Sequence, residues 1–389
     1  MIRPFRFARV PLIIFHQGAL SELPRIASGY GRKIILVTGN RSFISSASAG
    51  KMLDNLKKES IAFEIVPIAG EPSPEMIDEA VAKHRNFEAN LVIAVGGGSV
   101  MDAGKAISAM LTVGGSVTDY LEDVGTLQHP GAKIPFIAVP TTSGTGSETT
   151  KNAVISRVGA GGFKKSLRHD NFVPEIAIVD PELTLGCPPE ITAAAGMDCF
   201  TQLTEAFLST KSNEYTDALA IQGLKAVKES LLKAYTVGDI ESRSGMSFAA
   251  LTSGICLANA GLGTVHGFAS SIGGTFTIPH GIICGTLMAK ANEINVRRLR
   301  ETGTNPDALK KYALLGKIFI ETEKSEDYLV DRFLGLLSEL TEKLNLPGLK
   351  SLGFDANQSE RICSETDNKN NPVKLVREDL MEIVSSRNF

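Results

Sequence analysis

Along the first 185 residues, short β-branched runs alternate with stretches of helical amphipathic periodicity. This pattern predicts strands at Lys33 to Thr38, Phe63 to Pro67, Leu91 to Val95, Pro135 to Val139 and Ile176 to Val179. Helices at Ser48 to Lys58 and Pro74 to Arg85 separate the first three. Ser73 before Pro74 offers a capping hydroxyl followed by a residue preset for the first helical turn. Strand, helix, strand in this rhythm predicts right-handed crossovers and a parallel sheet. The nearly continuous apolar runs suit strands covered on both faces. Beyond Asp180 the periodicity is helical from about Pro188 to Val384, with turns at Gly238, Gly261-Leu262-Gly263, Gly303 and Pro347. The expected organisation is an α/β domain over residues 1–184 and an all-helical domain over residues 185–389.

Composition narrows the function class. Hydrophobic residues make up 43% and charged residues 21% of the 389 positions, as in soluble enzymes. A chain of this length buries about three quarters of its unfolded surface, so a core needs no disulfide or metal. Forty basic residues stand against 43 acidic ones, a net charge of −3. That balance speaks against nucleic acid or an anionic membrane as the main partner. The five cysteines (Cys187, Cys199, Cys256, Cys284, Cys363) are scattered without a CxxC pair and read as reduced thiols. With no basic-then-apolar leader and no apolar run of membrane-spanning length, the expectation is a cytoplasmic protein.

Three constellations could carry chemistry. Gly96-Gly97-Gly98-Ser99 follows the strand LVIAV and opens a helix expected to start near Val100. Glycines there allow backbone N–H groups to approach a phosphate, and the helix N-terminus favours the anion. The run matches neither GxGxxG, since Met101 replaces the third glycine, nor a Walker loop, since Ala106 follows Lys105. Pro140-Thr141-Thr142-Ser143-Gly144-Thr145-Gly146-Ser147-Glu148 follows the next strand. Two such loops at the C-terminal ends of one parallel sheet point to a bound nucleotide, against the plainer reading of two capped turns. In the helical half, His266 and His280 each precede a glycine, and Asp198, Gln202 and Glu205 fall on one helix face. A carboxylate and two imidazoles from separate helices can converge on a divalent cation. Taken singly, each histidine also fits a satisfied core residue, and Glu205 a buried ion-pair or cap partner.

Together, GGGS, PTTSGTGSE, IVDPEL (Ile178 to Leu183), GMDCFTQLTEAF (Gly196 to Phe207), GLGTVHG and PHG resemble the iron-containing alcohol dehydrogenase family in order and spacing, over nearly the whole chain. The resemblance implies a dehydroquinate synthase-like fold: an α/β dinucleotide-binding domain, then a helical metal and substrate domain, with the active site in the cleft between them. It implies that Gly97, Gly98 and Ser99 hold the pyrophosphate, that Thr141, Thr142, Thr145, Asn152 and Lys164 lie at the cofactor, and that Asp102 lies near the ribose or nicotinamide. Asp198, His266 and His280 match three of the family's four metal ligands, an aspartate and three histidines. The fourth position holds Gln202, whose amide oxygen is a neutral, harder donor than imidazole. Many members carry a further histidine four residues after the one matching His266; this chain has Ser270. Where the family usually has an aspartate after the first strand, Gly39 stands, with Arg41 nearby. The missing carboxylate favours NADP over NAD.

The implied reaction is hydride transfer between a nicotinamide and a small alcohol or aldehyde, with Fe2+ or Zn2+ on Asp198, Gln202, His266 and His280 polarising the substrate oxygen. In its absence His266 or His280 would act as proton donor, as in a metal-independent reductase of the maleylacetate reductase type. Asp102 completes the candidate catalytic set. A dehydroquinate-synthase-like lyase would need a dense basic cluster that the helical half lacks. A nucleotide-binding scaffold would bind NADPH without turnover. Phe268, Phe276 and Met288 suggest an apolar pocket lining, although helix cores look the same. The family also implies a homodimer.

Overall fold

The computed structural model describes residues 4–159 and 161–387. Eight strands run in chain order: β1 (Leu12–Phe15), β2 (Lys33–Gly39), β3 (Ala62–Ile68), β4 (Leu91–Gly96), β5 (Phe136–Pro140), β6 (Asn152–Arg157), β7 (Phe163–Arg168) and β8 (Ile176–Val179). Six of them form one sheet in the order β1-β8-β5-β4-β2-β3, every pair parallel. The predicted parallel sheet is thus present. Its central strands β4 and β5 are buried at every residue, as continuous apolar runs require. Around it lie α1 (Leu23–Ser28), α2 (Ala47–Lys58), α3 (Pro74–His84) and α4 (Gly98–Met110). The Ser73 hydroxyl accepts from Met76 N–H, capping α3 as its sequence predicts.

Three strands are absent from the expectation. β1 is a four-residue edge strand beside β8, exposed at Leu12, with too few residues to show alternation. The ribbon β6-β7 is only half-buried, and FKKSLR lacks an apolar rhythm. The helix predicted near Val100 starts at Gly98, because Gly97 itself takes the cap position.

The helical half comprises α5 (Pro189–Leu208), α6 (Glu214–Thr236), α7 (Ile240–Ala260), α8 (Thr264–Thr275), α9 (His280–Thr302), α10 (Pro306–Ile320), α11 (Glu326–Lys343), α12 (Ser359–Glu365) and α13 (Arg377–Ser385). Its core is built on fully buried Phe200, Leu203, Phe207, Phe268, Leu287 and Phe333. Two compact units result. One spans Ala8 to Arg157 and Lys164 to Cys187; the other begins at Pro188 and takes in the stretches before Ala8 and between Arg157 and Lys164. Among the described residues no single helix is long and apolar enough to cross a membrane.

Candidate active site and metal centre

In the α/β unit, β2 has β3 on one side and β4 on the other, so the strand order reverses between β2 and β4. Ligands of open α/β sheets bind beyond the C-terminal strand ends at such a switch point. Three candidate segments end there. Gly39 closes β2, Gly97-Gly98-Ser99 leads β4 into α4, and Thr141-Thr142 follows β5. The two loops lie against each other. A Cβ on Gly98 would sit 2.8 Å from Thr145 Cγ2, and one on Gly97 would sit 3.3 Å from Thr142 Oγ1. Thr141 N–H donates to Gly96 O at 2.9 Å, carrying the strand pairing into the loops. Ser99, Thr141, Thr142 and Thr145 remain half-buried, and Gly97, at the N-cap position of α4, has no side chain to cap it.

Asp102 and Lys105, one turn apart on α4, tie down the second loop from below. Ser147 Oγ donates to Asp102 Oδ1 at 2.6 Å. Lys105 Nζ donates to Ser147 O at 2.8 Å, Thr150 Oγ1 at 3.0 Å and Asn152 O at 2.7 Å. Burial raises the Asp102 carboxyl, lowers the Lys105 ammonium and pushes the nearby Glu148 carboxyl up to about 7. Asn152 therefore enters through its main chain at the start of β6, and Lys164 on β7 forms an ion pair with Glu71 at 2.5 Å. Sequence reasoning passes over Lys105. Its signal is a lone charge in the otherwise apolar turn AGKAISAM, where a buried lysine must find partners.

In the helical unit, Asp198, Gln202 and Glu205 are all buried on α5. Glu205 reaches the start of α8, where its carboxylate accepts from Val265 N–H at 2.7 Å and from His266 Nδ1 at 2.6 Å. It is thus both of the things its isolated reading offered, an ion-pair partner and a cap. The opposite face of the imidazole, Nε2, stands 3.2 Å from Asp198 Oδ1. His280 opens α9 with its Nε2 3.6 Å from the same oxygen. Helix α9 comes this close because Gly281 and Gly285 carry no side chain: a Cβ there would meet Ala194 O at 2.3 Å and Met197 Cβ at 2.8 Å. One turn along α9, Cys284 joins the group, and the donor atoms of Asp198, His266, His280 and Cys284 lie within 4.8 Å of one another. Sequence reasoning treats Cys284 only as a reduced thiol. The four-residue spacing used from Asp198 to Gln202, applied to His280, would have pointed to it.

The electrostatics match a cation site. Burial works against charge on His266, and Cys284 together with the Glu205 and Asp198 carboxylates outweighs it, holding the imidazole well above its usual range. Burial likewise opposes charge on Asp198 and Glu205, yet the facing imidazoles keep both carboxyls below theirs. Burial, joined by the Asp198 and Glu205 carboxylates and opposed by His266, pushes the Cys284 thiol up to about 11. One carboxylate, two imidazoles and a thiol in a buried cluster, with a second carboxylate behind one ring, form a donor set that fits Zn2+ or Fe2+. Gln202 sits buried one turn after Asp198. Ser270 donates its hydroxyl to His266 O at 3.0 Å. Of the apolar candidates, Phe268 and Met288 are packed in the helical core, while Phe276 is half-buried against Phe354, ring centres 5.2 Å apart. All five cysteines are free thiols.

Comparison with known proteins bears on both units. The family model for iron-containing alcohol dehydrogenase matches residues 11–181, and that for the Fe-containing alcohol dehydrogenase family, C-terminal, matches residues 192–387. The NADPH-dependent butanol dehydrogenase of Clostridium saccharobutylicum is 31% identical, covering 97% of this chain and 96% of the relative. The NAD-dependent methanol dehydrogenase of Bacillus methanolicus is 33% identical over 97% and 98%. A crystal structure of 1,3-propanediol oxidoreductase superposes with a TM-score of 0.87 at 26% identity, covering 99% of this chain and 100% of that one.

Proposed function

Because the chain belongs to the iron-containing alcohol dehydrogenase family, we propose that its two units cooperate in reversible oxidation of a small primary alcohol to an aldehyde. The protein is an NAD(P)-dependent oxidoreductase acting on CH–OH groups. The observation that carries the proposed site is the meeting of Asp198, His266 and His280 in one buried cluster. When bound, a divalent cation supplies Lewis acidity at the substrate oxygen and the nicotinamide supplies or accepts the hydride. Asp198, His266 and His280 hold the cation, and Glu205 fixes the His266 ring behind it. His280 keeps a quarter of its side chain exposed, against 5% for His266 and 3% for Asp198, so substrate approaches from its side.

On the α/β unit, backbone N–H groups of Gly97, Gly98 and Ser99 receive the pyrophosphate, and Thr141, Thr142 and Thr145 offer hydroxyls beside it. Asp102, Asn152 and Lys164 belong to the frame that holds this rim, Asp102 by fixing Ser147. Gly39 leaves the end of β2 without a carboxylate, and Arg41 beyond it is exposed, which favours the 2′-phosphate of NADP. A homodimer and a cytoplasmic location, the latter on the strength of five free thiols, complete the reading. Light scattering giving twice the chain mass would support the dimer.

The test is a panel of small alcohols and aldehydes against NAD and NADP, followed at 340 nm, with and without prior chelation. Cofactor-dependent turnover lost on chelation and restored by Zn2+ or Fe2+ is the expected result. Full activity in a metal-stripped sample would remove the cation from the mechanism.

A further inference from the structure

We propose that Cys284 is the fourth metal ligand, its thiolate taking the place of the imidazole that Gln202 has displaced. The inference rests on the cluster of Asp198, His266 and His280 being a cation site, and it names what completes that site in this chain. Cys284 Sγ lies 3.7 Å from His266 Nε2 and 3.7 Å from His280 Nε2. A tetrahedral zinc, with bonds of about 2.0 Å to nitrogen or oxygen and about 2.3 Å to sulfur, sets its donors roughly 3.3–3.6 Å apart. The sulfur distances and the two carboxylate–imidazole separations of 3.2 and 3.6 Å all fall within a few tenths of an ångström of those edges.

The second carboxylate of the group does not compete for that corner. Glu205 has both carboxylate oxygens committed, one to Val265 N–H and one to His266 Nδ1, on the far side of the ring. The spacing supplies a structural reason for the exchange. Asp198 and Gln202 are one turn apart on α5, as His280 and Cys284 are on α9, and α9 lies against α5 at Gly281 and Gly285. A donor lost from one helix is replaced from the facing turn of the other.

The proposed ligand set carries its own compensating charge. On binding, the S–H proton leaves to solvent and the sulfur becomes a thiolate, so Asp198 and Cys284 together neutralise a dication in a buried pocket. The Glu205 carboxylate behind His266 adds a further negative charge outside the ligand set. The thiolate also biases the site toward thiophilic cations such as Zn2+ and away from Mg2+ or Mn2+.

The experiment replaces the resident metal with Co2+ in the full-length protein and records the near-ultraviolet absorption, alongside Zn2+ affinity by competition with a chelator. The wild type should show sulfur-to-cobalt charge transfer. Cys284→Ser should lose that band and bind Zn2+ about 100-fold more weakly, with an unchanged melting curve for the metal-free protein. Adding Gln202→His to Cys284→Ser should restore affinity without the band. One cation per chain with no sulfur band, and Zn2+ affinity equal in Cys284→Ser, would overturn the role of Cys284 and leave the cation site standing. No cation bound by the wild type would overturn both.

Discussion

The two units build their sites from opposite materials. The rim of the α/β unit is made of glycines, hydroxyls and main-chain N–H groups, with the charges of Asp102 and Lys105 set beneath it to hold a loop. The helical unit concentrates two carboxylates, two imidazoles and a thiol in one buried place, brought together from three helices. A site of the first kind depends on shape: it tolerates modest changes of chemistry and fails when atoms are added. One of the second kind depends on charge and donor identity, and fails when a single group changes while the volume stays the same.

The sharpest way to break this contrast is His280→Ala. It should lower turnover by roughly 10³-fold or more while NADPH binding, read by nucleotide fluorescence, stays intact. Surviving turnover would remove His280 from the site. Next comes Glu205→Gln, nearly isosteric, which removes the carboxylate behind His266. Its expected effect is about a 10- to 100-fold loss of Zn2+ affinity in a chelator competition, with cofactor binding unchanged.

The complementary change in the other unit is Gly98→Ala. The added methyl, 2.8 Å from Thr145 Cγ2, should raise the KM for the nucleotide by about tenfold and leave metal content alone. An equal loss of metal would erase the distinction between the units. The smallest effect concerns Glu148. Burial lifts its folded-state pKa from the usual carboxylate value to about 7, so its share of stability is present below about 4.5 and is lost as pH rises to about 7. Glu148→Gln should therefore melt roughly 2–4 °C higher than wild type at pH 8, with the gain vanishing near pH 4.5. Equal melting temperatures at pH 8 would count against a buried, costly charge there.

The same contrast explains what could be read in advance. Strand and helix cores repeat on short periods, so Leu91–Gly96 and Pro74–His84 are visible as local patterns almost to the residue. The glycine and hydroxyl loops are likewise contiguous, and their adjacency follows from neighbouring parallel strands. The half-buried ribbon of β6 and β7 shows no such period, since NAVISR and FKKSLR lack a regular alternation of apolar and polar positions. In the helical unit, Asp198, His266 and His280 stand out by residue type, and Glu205 by its helix face. Cys284 does not, since by residue type a buried cysteine in an apolar helix looks like any small hydrophobe, and only its place one turn after His280 marks it.

The two bare glycines of α9 carry one last implication. The approach of that helix depends on the missing side chains at Gly281 and Gly285, not on the donors that project from the facing turns. Paired substitutions at Gln202 and Cys284 would then hand the proposed coordinating role across the interface without rebuilding the bundle, making metal preference adjustable with the backbone left in place.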